Sequence, residues 1–234
     1  KGILKLIEIL LPNDRVSKFI FGKVAPLEIA ATINKRAYFS HETALYLHGL
    51  CKKSQDIYTN IEQTPKLTGT STLTQESIDQ AFSRPMRKTN QIAQFKIKEK
   101  NYRVHMLNGK HNGNIGVVYG EIGFHLTNLE RTFIDCVVRP QYAGGPYVIL
   151  EAFKKAHNSL NISQLLETLK KMNFKYPYHQ VIGFYLERAG YDDSILQLVR
   201  QFDQINYCLS LDYMLDLSYF SSSWNVYYPA GFDR

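Results

Sequence analysis

The 234-residue sequence contains no apolar run of the roughly 18–20 residues that a membrane span needs, and its opening Lys-Gly-Ile-Leu-Lys lacks a signal-peptide pattern. Cysteine is scarce. Cys51, Cys136 and Cys208 are isolated, odd in number and without C-x-x-C spacing, which argues against a disulfide framework and a zinc ribbon. A reducing, cytoplasmic compartment follows, with Cys136 read as a small buried hydrophobe. The seven histidines are scattered and form no H-E-x-x-H, so no metal site is expected. There is no G-x-S-x-G, and the stretch 67–72 lacks the G-K-[ST] ending of a phosphate loop. No internal repeat and no strand-borne D-x10–20-E-x-K pattern are found. Each missing pattern removes one enzyme class, so the expectation is a non-enzyme without a cofactor.

What is present is core-forming material. Apolar residues make up 44% and aromatics 13%, with 16 Tyr and 13 Phe, too much for a disordered chain. The net charge of +7 is unevenly spread: residues 1–120 carry 18 Lys/Arg against 9 Asp/Glu, and residues 121–234 carry 10 against 12. This asymmetry suggests that the first half meets a polyanion, the alternative being a solvated basic surface with no partner.

Residues 3–11 read as a strand ending at the turn Pro12-Asn13-Asp14, residues 19–21 as its return, and Pro26 as the start of a helix through Asn34. Ser40 is the expected N-cap of a core helix stopped by Gly49, with His41 and His48 on one face. Adjacent Ser40 and His41 are expected to diverge. The stretch 52–90 reads as polar, with a turn-rich loop at 64–72, a helix at about 74–82 and the basic cluster Arg84, Arg87, Lys88. Ala93, Phe95 and Ile97, then Tyr102, Val104 and Met106, alternate with polar residues as in a hairpin that turns Lys96, Lys98, Arg103 and His105 outward. Short strands at 117–119 and 123–126 follow.

From 127 onward apolar residues recur at helical spacing. They predict helices at 127–139, around Ile149 to Ala156, Leu165 to Leu169 and Val181 to Leu186, and after Asp192; short strands at 207–211 and 225–228 follow. The fold class is α+β. In the first of these helices Thr127 is the expected cap, Glu130 its capping-box partner and Pro140 the stop. Glu130, Arg131, Asp135 and Arg139 recur at spacings of three and four beside Leu129, Phe133 and Val137. They read as an arginine ladder, Arg131–Asp135–Arg139, that ties the helix to its neighbours, the alternative being a direct partner-binding role.

Two blocks then resemble segments of the AbiEi family of antitoxins of type IV (abortive-infection) toxin–antitoxin systems. Residues 37–50, AYFSHETALYLHGL, contain Ser40, His41, Leu45, His48 and Gly49. Residues 129–145, LERTFIDCVVRPQYAGG, contain Glu130, Arg131, Asp135, Arg139, Pro140, Gly144 and Gly145. The blocks stand in the family's order and at a similar separation, with Thr43 where the family commonly has Ser. The resemblance implies an autorepressing antitoxin in which an N-terminal winged helix binds the operon's own promoter. A mixed α/β C-terminal domain follows, and the partner is a toxin of nucleotidyltransferase fold (AbiEii). Because the chain opens on Lys1 with few residues before the first block, residues 1–24 are expected to be the wing of a mostly missing winged helix, and 25–234 the antitoxin domain. Arg84, Arg87, Lys88, Lys96, Lys98 and Arg103 are the candidate DNA-phosphate contacts.

Two other readings compete. One is a nuclease or nucleotidyl-modifying enzyme with Asp135 and Glu151 as its acidic residues. The other is an interaction module that docks a partner on Tyr176, Tyr178, Tyr219, Phe220, Trp224, Tyr227 and Tyr228, unless these fill a core.

Overall fold

Alternating apolar residues and a Pro12-Asn13 turn make the first two strands. In the computed structural model, which describes residues 4–64, 72–121, 123–215 and 218–232, β1 (Leu4–Leu10) and β2 (Arg15–Phe21) pair antiparallel from Leu4↔Phe21 to Leu10↔Arg15. The turn is closed by Leu11 N–H donating to the Asp14 carbonyl at 2.8 Å. Ile7 and Ile9 face the core, whereas Leu4, Leu6, Phe19 and Phe21 are exposed on the other face. This hairpin, expected as a wing, is joined to the body of the protein: Ile9 and Leu10 pair with Phe95 and Gln94 of β5 (Ile92–Ile97).

The β5 hairpin with β6 (Lys100–Gly109) forms as expected, turning on Lys98-Glu99 with Lys98 at φ +54°. Ala93, Phe95, Tyr102 and Val104 are buried. Arg103 is exposed as expected, whereas His105 is largely covered rather than outward; both side chains are drawn to Asp56. Asp56 opens β4 (Asp56–Glu62), a strand inside the stretch read as polar, and β4 runs parallel to β6 from Asp56↔Arg103 to Glu62↔Gly109. Next come β3 (Tyr38–Phe39), β8 (His125–Thr127) and β7 (Val117–Tyr119), giving the sheet order β2-β1-β5-β6-β4-β3-β8-β7. Of the loop expected at 64–72, residues 65–71 lie outside the described residues.

Helix α1 (Pro26–Ala31) covers one region of the sheet, with Ile29 and Ala30 packed among Ile9, Phe39, Ile57, Phe95, Val104 and Leu126. The larger core belongs to the helices: α2 (His41–Leu47), α3 (Gln75–Phe82), α4 (Leu129–Val138), α5 (Pro146–Lys155), α6 (Ile162–Met172), α7 (Tyr178–Arg188) and α8 (Asp193–Phe202). A small sheet of β9 (Leu209–Ser210), β10 (Ser218–Ser221) and β11 (Val226–Pro229) closes the chain. The class is α+β. Of the C-terminal aromatics, Tyr178, Trp224 and Tyr228 are buried, and Tyr219, Phe220 and Tyr227 are exposed.

Two expectations about caps are corrected. Asn128, not Thr127, caps α4, its Oδ1 accepting from Arg131 N–H at 2.9 Å. Glu130 makes no capping box; its carboxylate accepts from the Asn161 N–H at the start of α6 (3.3 Å). Ser40 does stand at the N-cap position of α2, but its hydroxyl makes no capping bond.

Helix α7 is buried from Tyr178 to Leu186, and one glycine makes this possible. A Cβ on Gly183 would lie 2.1 Å from the ring of Trp224, itself fully buried. Gly183→Ala is therefore expected to destabilise the fold by about 3 kcal/mol through overpacking, read as a lower midpoint in urea at unchanged slope.

Candidate functional site

The two sequence blocks meet because β3 and β8 are neighbours. Phe39 pairs in parallel with Leu126, and each strand feeds a helix, α2 from one and α4 from the other. His48, at the end of α2, clips the arrangement through Nε2 and the Thr127 carbonyl (2.9 Å). Leu45 lies in the helical core, and Gly49 follows α2 at φ +76°. Pro140 opens a short 3-10 turn, Pro140–Tyr142, and Gly144 and Gly145 carry the chain from it into α5.

Helix α4 is not a solvated charged face. Glu130, Arg131 and Asp135 are all buried along with its apolar residues. Arg131 Nε donates to Asp135 Oδ1 at 2.8 Å, and Nη1 donates to the Ile115 carbonyl at 2.6 Å. The Tyr38 hydroxyl also hydrogen-bonds Arg131, and burial pushes that phenol up to about 12. The Ile115 carbonyl reaches Arg131 because the next residue has no side chain: a Cβ on Gly116 would lie 2.6 Å from Arg131 Cβ. Burial pushes the Asp135 carboxyl upward, against the pull of Arg131. The second rung of the expected ladder is missing. Among the described residues Arg139 makes no ion pair with Asp135; its guanidinium lies over the Tyr142 ring, 6.0 Å from the centroid.

Ser40 and His41 correct a further expectation. His41 holds φ +52°, a left-handed conformation that costs a non-glycine residue about 1–3 kcal/mol. In that conformation its ring turns back, and Ser40 Oγ and His41 Nδ1 lie 2.8 Å apart. The ring is buried, edge-on to Tyr142 at 5.6 Å. Burial, followed by the charges of Arg139 and Arg131, lowers its pKa to about 3, so the imidazole is neutral. Ser40 is fully buried, out of reach of a substrate.

His41, Arg131, Asp135 and Arg139 line one cleft of about 80 Å³, with Asn60 and Lys110. Lys110 Nζ donates to the Asn173 carbonyl at 2.5 Å and lies over the Phe174 ring. Two buried acceptors on this wall, Asp135 Oδ2 and Asn60 Oδ1, have no hydrogen-bond partner among the described residues. Sequence reasoning found His41, Arg131, Asp135 and Arg139 but missed Tyr38, Asn60 and Lys110, which enter from strands and loops without a local signal. Glu151 does not join them: it is half-exposed on α5 and pairs with Lys154 at 2.9 Å. No group of three or more His, Cys, Asp or Glu side chains among the described residues could hold a metal ion.

The basic candidates do not gather in one place. Arg84, Arg87 and Lys88 precede β5, and Lys96 and Lys98 lie at its far end, roughly 15–20 Å along the strand. Lys96 pairs with Glu99 at 3.4 Å. Arg103 is held by Asp56 through two bonds, 2.7 and 2.6 Å, and His105 Nε2 lies 2.7 Å from the same carboxylate. Burial would raise the Asp56 carboxyl, but these partners hold it below the usual range. Arg103 is thus a structural clamp between β4 and β6.

No family model and no curated protein matches the sequence. Among solved structures, the fold is similar to that of the RV2827C protein from Mycobacterium tuberculosis, with a TM-score of 0.59 and 10% identity over 94% of this chain and 75% of that one. A candidate nucleotidyltransferase from H. pylori aligns with a TM-score of 0.38 and 12% identity over 74% of this chain and 90% of that one, a likeness too weak to carry an argument. The first similarity establishes shared architecture alone. No helix among the described residues is long and apolar enough to cross a membrane.

The neutral His41 sets a pH dependence. Unfolded, the ring binds a proton below its ordinary 6.5; folded, only below about 3. Its contribution is therefore complete above pH 6.5 and is lost as pH falls toward 3. Of order 2 kcal/mol should disappear between pH 6.5 and 5, above the range where the lowered carboxyls of Asp56 and Glu62 begin to act. His179, also lowered by burial, contributes in the same sense, and the raised carboxyls of Asp135 and Glu42 oppose it. His41→Asn, which tolerates the left-handed backbone, isolates the ring: urea unfolding at each pH should give a visibly flatter profile than the native chain.

Proposed function

We propose that this chain is the antitoxin of a type IV toxin–antitoxin pair, a non-enzymatic protein of the cytoplasm that neutralises a nucleotidyltransferase-type toxin. One observation carries the reading. The two blocks that resemble AbiEi segments, some 80 residues apart in sequence, form a single structural unit. His41 of the first and Arg131, Asp135 and Arg139 of the second line the same cleft, and His48 of the first clips onto the strand that leads into the second. Chance matches to two family segments have no reason to converge in space. Two observations favour this reading over the enzyme: Asp135 is engaged by Arg131, and Glu151 lies apart from it, paired with Lys154.

The test is co-expression with the nucleotidyltransferase-fold toxin that the proposal requires in the same operon. Growth arrested by that protein alone should be restored when this chain is present. Continued arrest at equal expression rejects the antitoxin role, and hydrolysis of nucleic acid by the purified chain would favour the enzyme.

Autorepression is the second part of the proposal. In this proposal the basic first half of the chain makes phosphate contacts that carry no sequence information. With Arg103 engaged by Asp56, Lys96 and Lys98 are the exposed candidates on the β5 hairpin. Charge reversal of both, Lys96→Glu with Lys98→Glu, should flatten the salt dependence of promoter binding by about two in log–log slope. An unchanged slope removes this hairpin from the DNA interface.

A further inference from the structure

Helix α1 is only six residues long, and a cleft of about 440 Å³ opens between its last turn and the chain entering β8. That volume is in the range of small-molecule sites. The two lips differ in chemistry. One carries Lys18 of β2 with Thr32 and Lys35, which follow α1; the other carries Gly123, Phe124 and His125. Lys18 pairs with Ile7 and so shares the face of the sheet that α1 covers. Its Nζ donates to the Thr32 carbonyl at 2.9 Å, which spends one of three ammonium donors on a neutral acceptor. Lys35 is exposed and makes no hydrogen bond or ion pair among the described residues. The carboxylate of Glu28 also lines the cleft, but it accepts from the Ala25 N–H. It therefore sits toward the other end of α1, roughly 10 Å along the axis from Thr32. The two ammonium groups are left without a carboxylate beside them, and the lip they form attracts an anion.

The opposite lip asks for a ring. Phe124 is only half-buried, and Phe39 beneath it holds its ring edge-on, with centroids 5.7 Å apart and planes at 87°. The Phe124 ring is thus fixed in place while part of it stays open to the cleft. Ala31 and Ala37 add small half-buried apolar side chains to the lining. A flat ring entering here can stack on Phe124. Two cations on one lip favour a group with more than one negative charge. A phosphate monoester carries about −1.5 to −2 near neutral pH, where a carboxylate carries a single charge. We propose that this cleft binds a phosphate monoester that bears a flat ring, with the phosphate at Lys18 and Lys35 and the ring on Phe124. Nucleoside monophosphates and simple aryl phosphates share that chemistry. This inference does not depend on the antitoxin reading, and either can fail alone.

Calorimetric titration of the purified full chain at neutral pH and low, constant ionic strength tests it. The probes are adenosine monophosphate, uridine monophosphate and phenyl phosphate. Adenosine and inorganic phosphate are the controls, each lacking one half of the ligand. The best monoester is expected to bind saturably at one site, at least about tenfold more tightly than either control. Tighter binding of the nucleotides assigns the site to nucleotides, and tighter binding of phenyl phosphate assigns it to simple aryl phosphates. Lys35→Gln, at a position without an ion pair to lose, should keep the native unfolding midpoint and weaken the monoester about tenfold. Phe124→Leu keeps an apolar side chain but removes the ring, and should weaken the monoester about fivefold. Phe124 also packs on the core, so the unfolding midpoint of that variant is measured alongside. The proposal is overturned by any of three results: no saturable binding of a monoester at millimolar concentration, inorganic phosphate or adenosine binding as tightly as the best monoester, or unchanged monoester affinity in either folded variant.

Discussion

The buried pair of Arg131 and Asp135 is the constraint around which the rest is arranged. Two charges taken out of water are unfavourable unless their remaining hydrogen-bonding capacity is met. Arg131 meets its share through the Ile115 carbonyl and the Tyr38 hydroxyl, so a loop, a strand and a helix are fastened to one guanidinium. That fastening needs Gly116 bare beside Arg131 Cβ. Asp135 is only half satisfied: its second oxygen is buried without a hydrogen-bond partner among the described residues. The pair therefore braces the junction of sheet and helices while leaving one buried acceptor unmatched among the described residues.

The same junction accounts for His41. A residue with φ +52° and a neutral buried ring, beside two guanidinium groups, is favourable in none of these respects. It persists because Ser40, Tyr142 and the surrounding helices determine its position more strongly than the local backbone does. Strain, a carboxylate oxygen without a hydrogen-bond partner and a guanidinium without an ion pair, both among the described residues, coincide in one place. Elsewhere the helical core is conventional, as where α7 and Trp224 interlock at Gly183.

Much of this architecture was legible in the sequence wherever one face of an element is wet. Ala93, Phe95, Tyr102 and Val104 alternate with polar neighbours, and the hairpin they mark is present. The helices after 127 announce themselves by apolar spacing and by Pro146 and Gly190. Strand β4 did not, because Ile57, Tyr58, Thr59 and Asn60 are buried in succession and leave no alternation to read. Charges at spacing four look alike on a solvated face and in a core, so the burial of Arg131 and Asp135 was not visible from their spacing. The Ser40–His41 contact depends on a backbone angle that residue identity does not encode. Asn60 and Lys110 reach the cleft by tertiary routes alone.

The parallel pairing of β3 with β8 has a temporal side. Residue 39 leaves the ribosome long before residue 126, yet neither strand completes the sheet without the other. Until then β4 has β6 along one edge and only the two-residue β3 along the other, and the guanidinium that braces the junction has not been synthesised. Contacts this distant along the chain carry the largest loop-closure entropy and form late. The emerging amino-terminal half thus waits as an unfinished sheet with apolar strand faces uncovered, a state in which chaperones would find it.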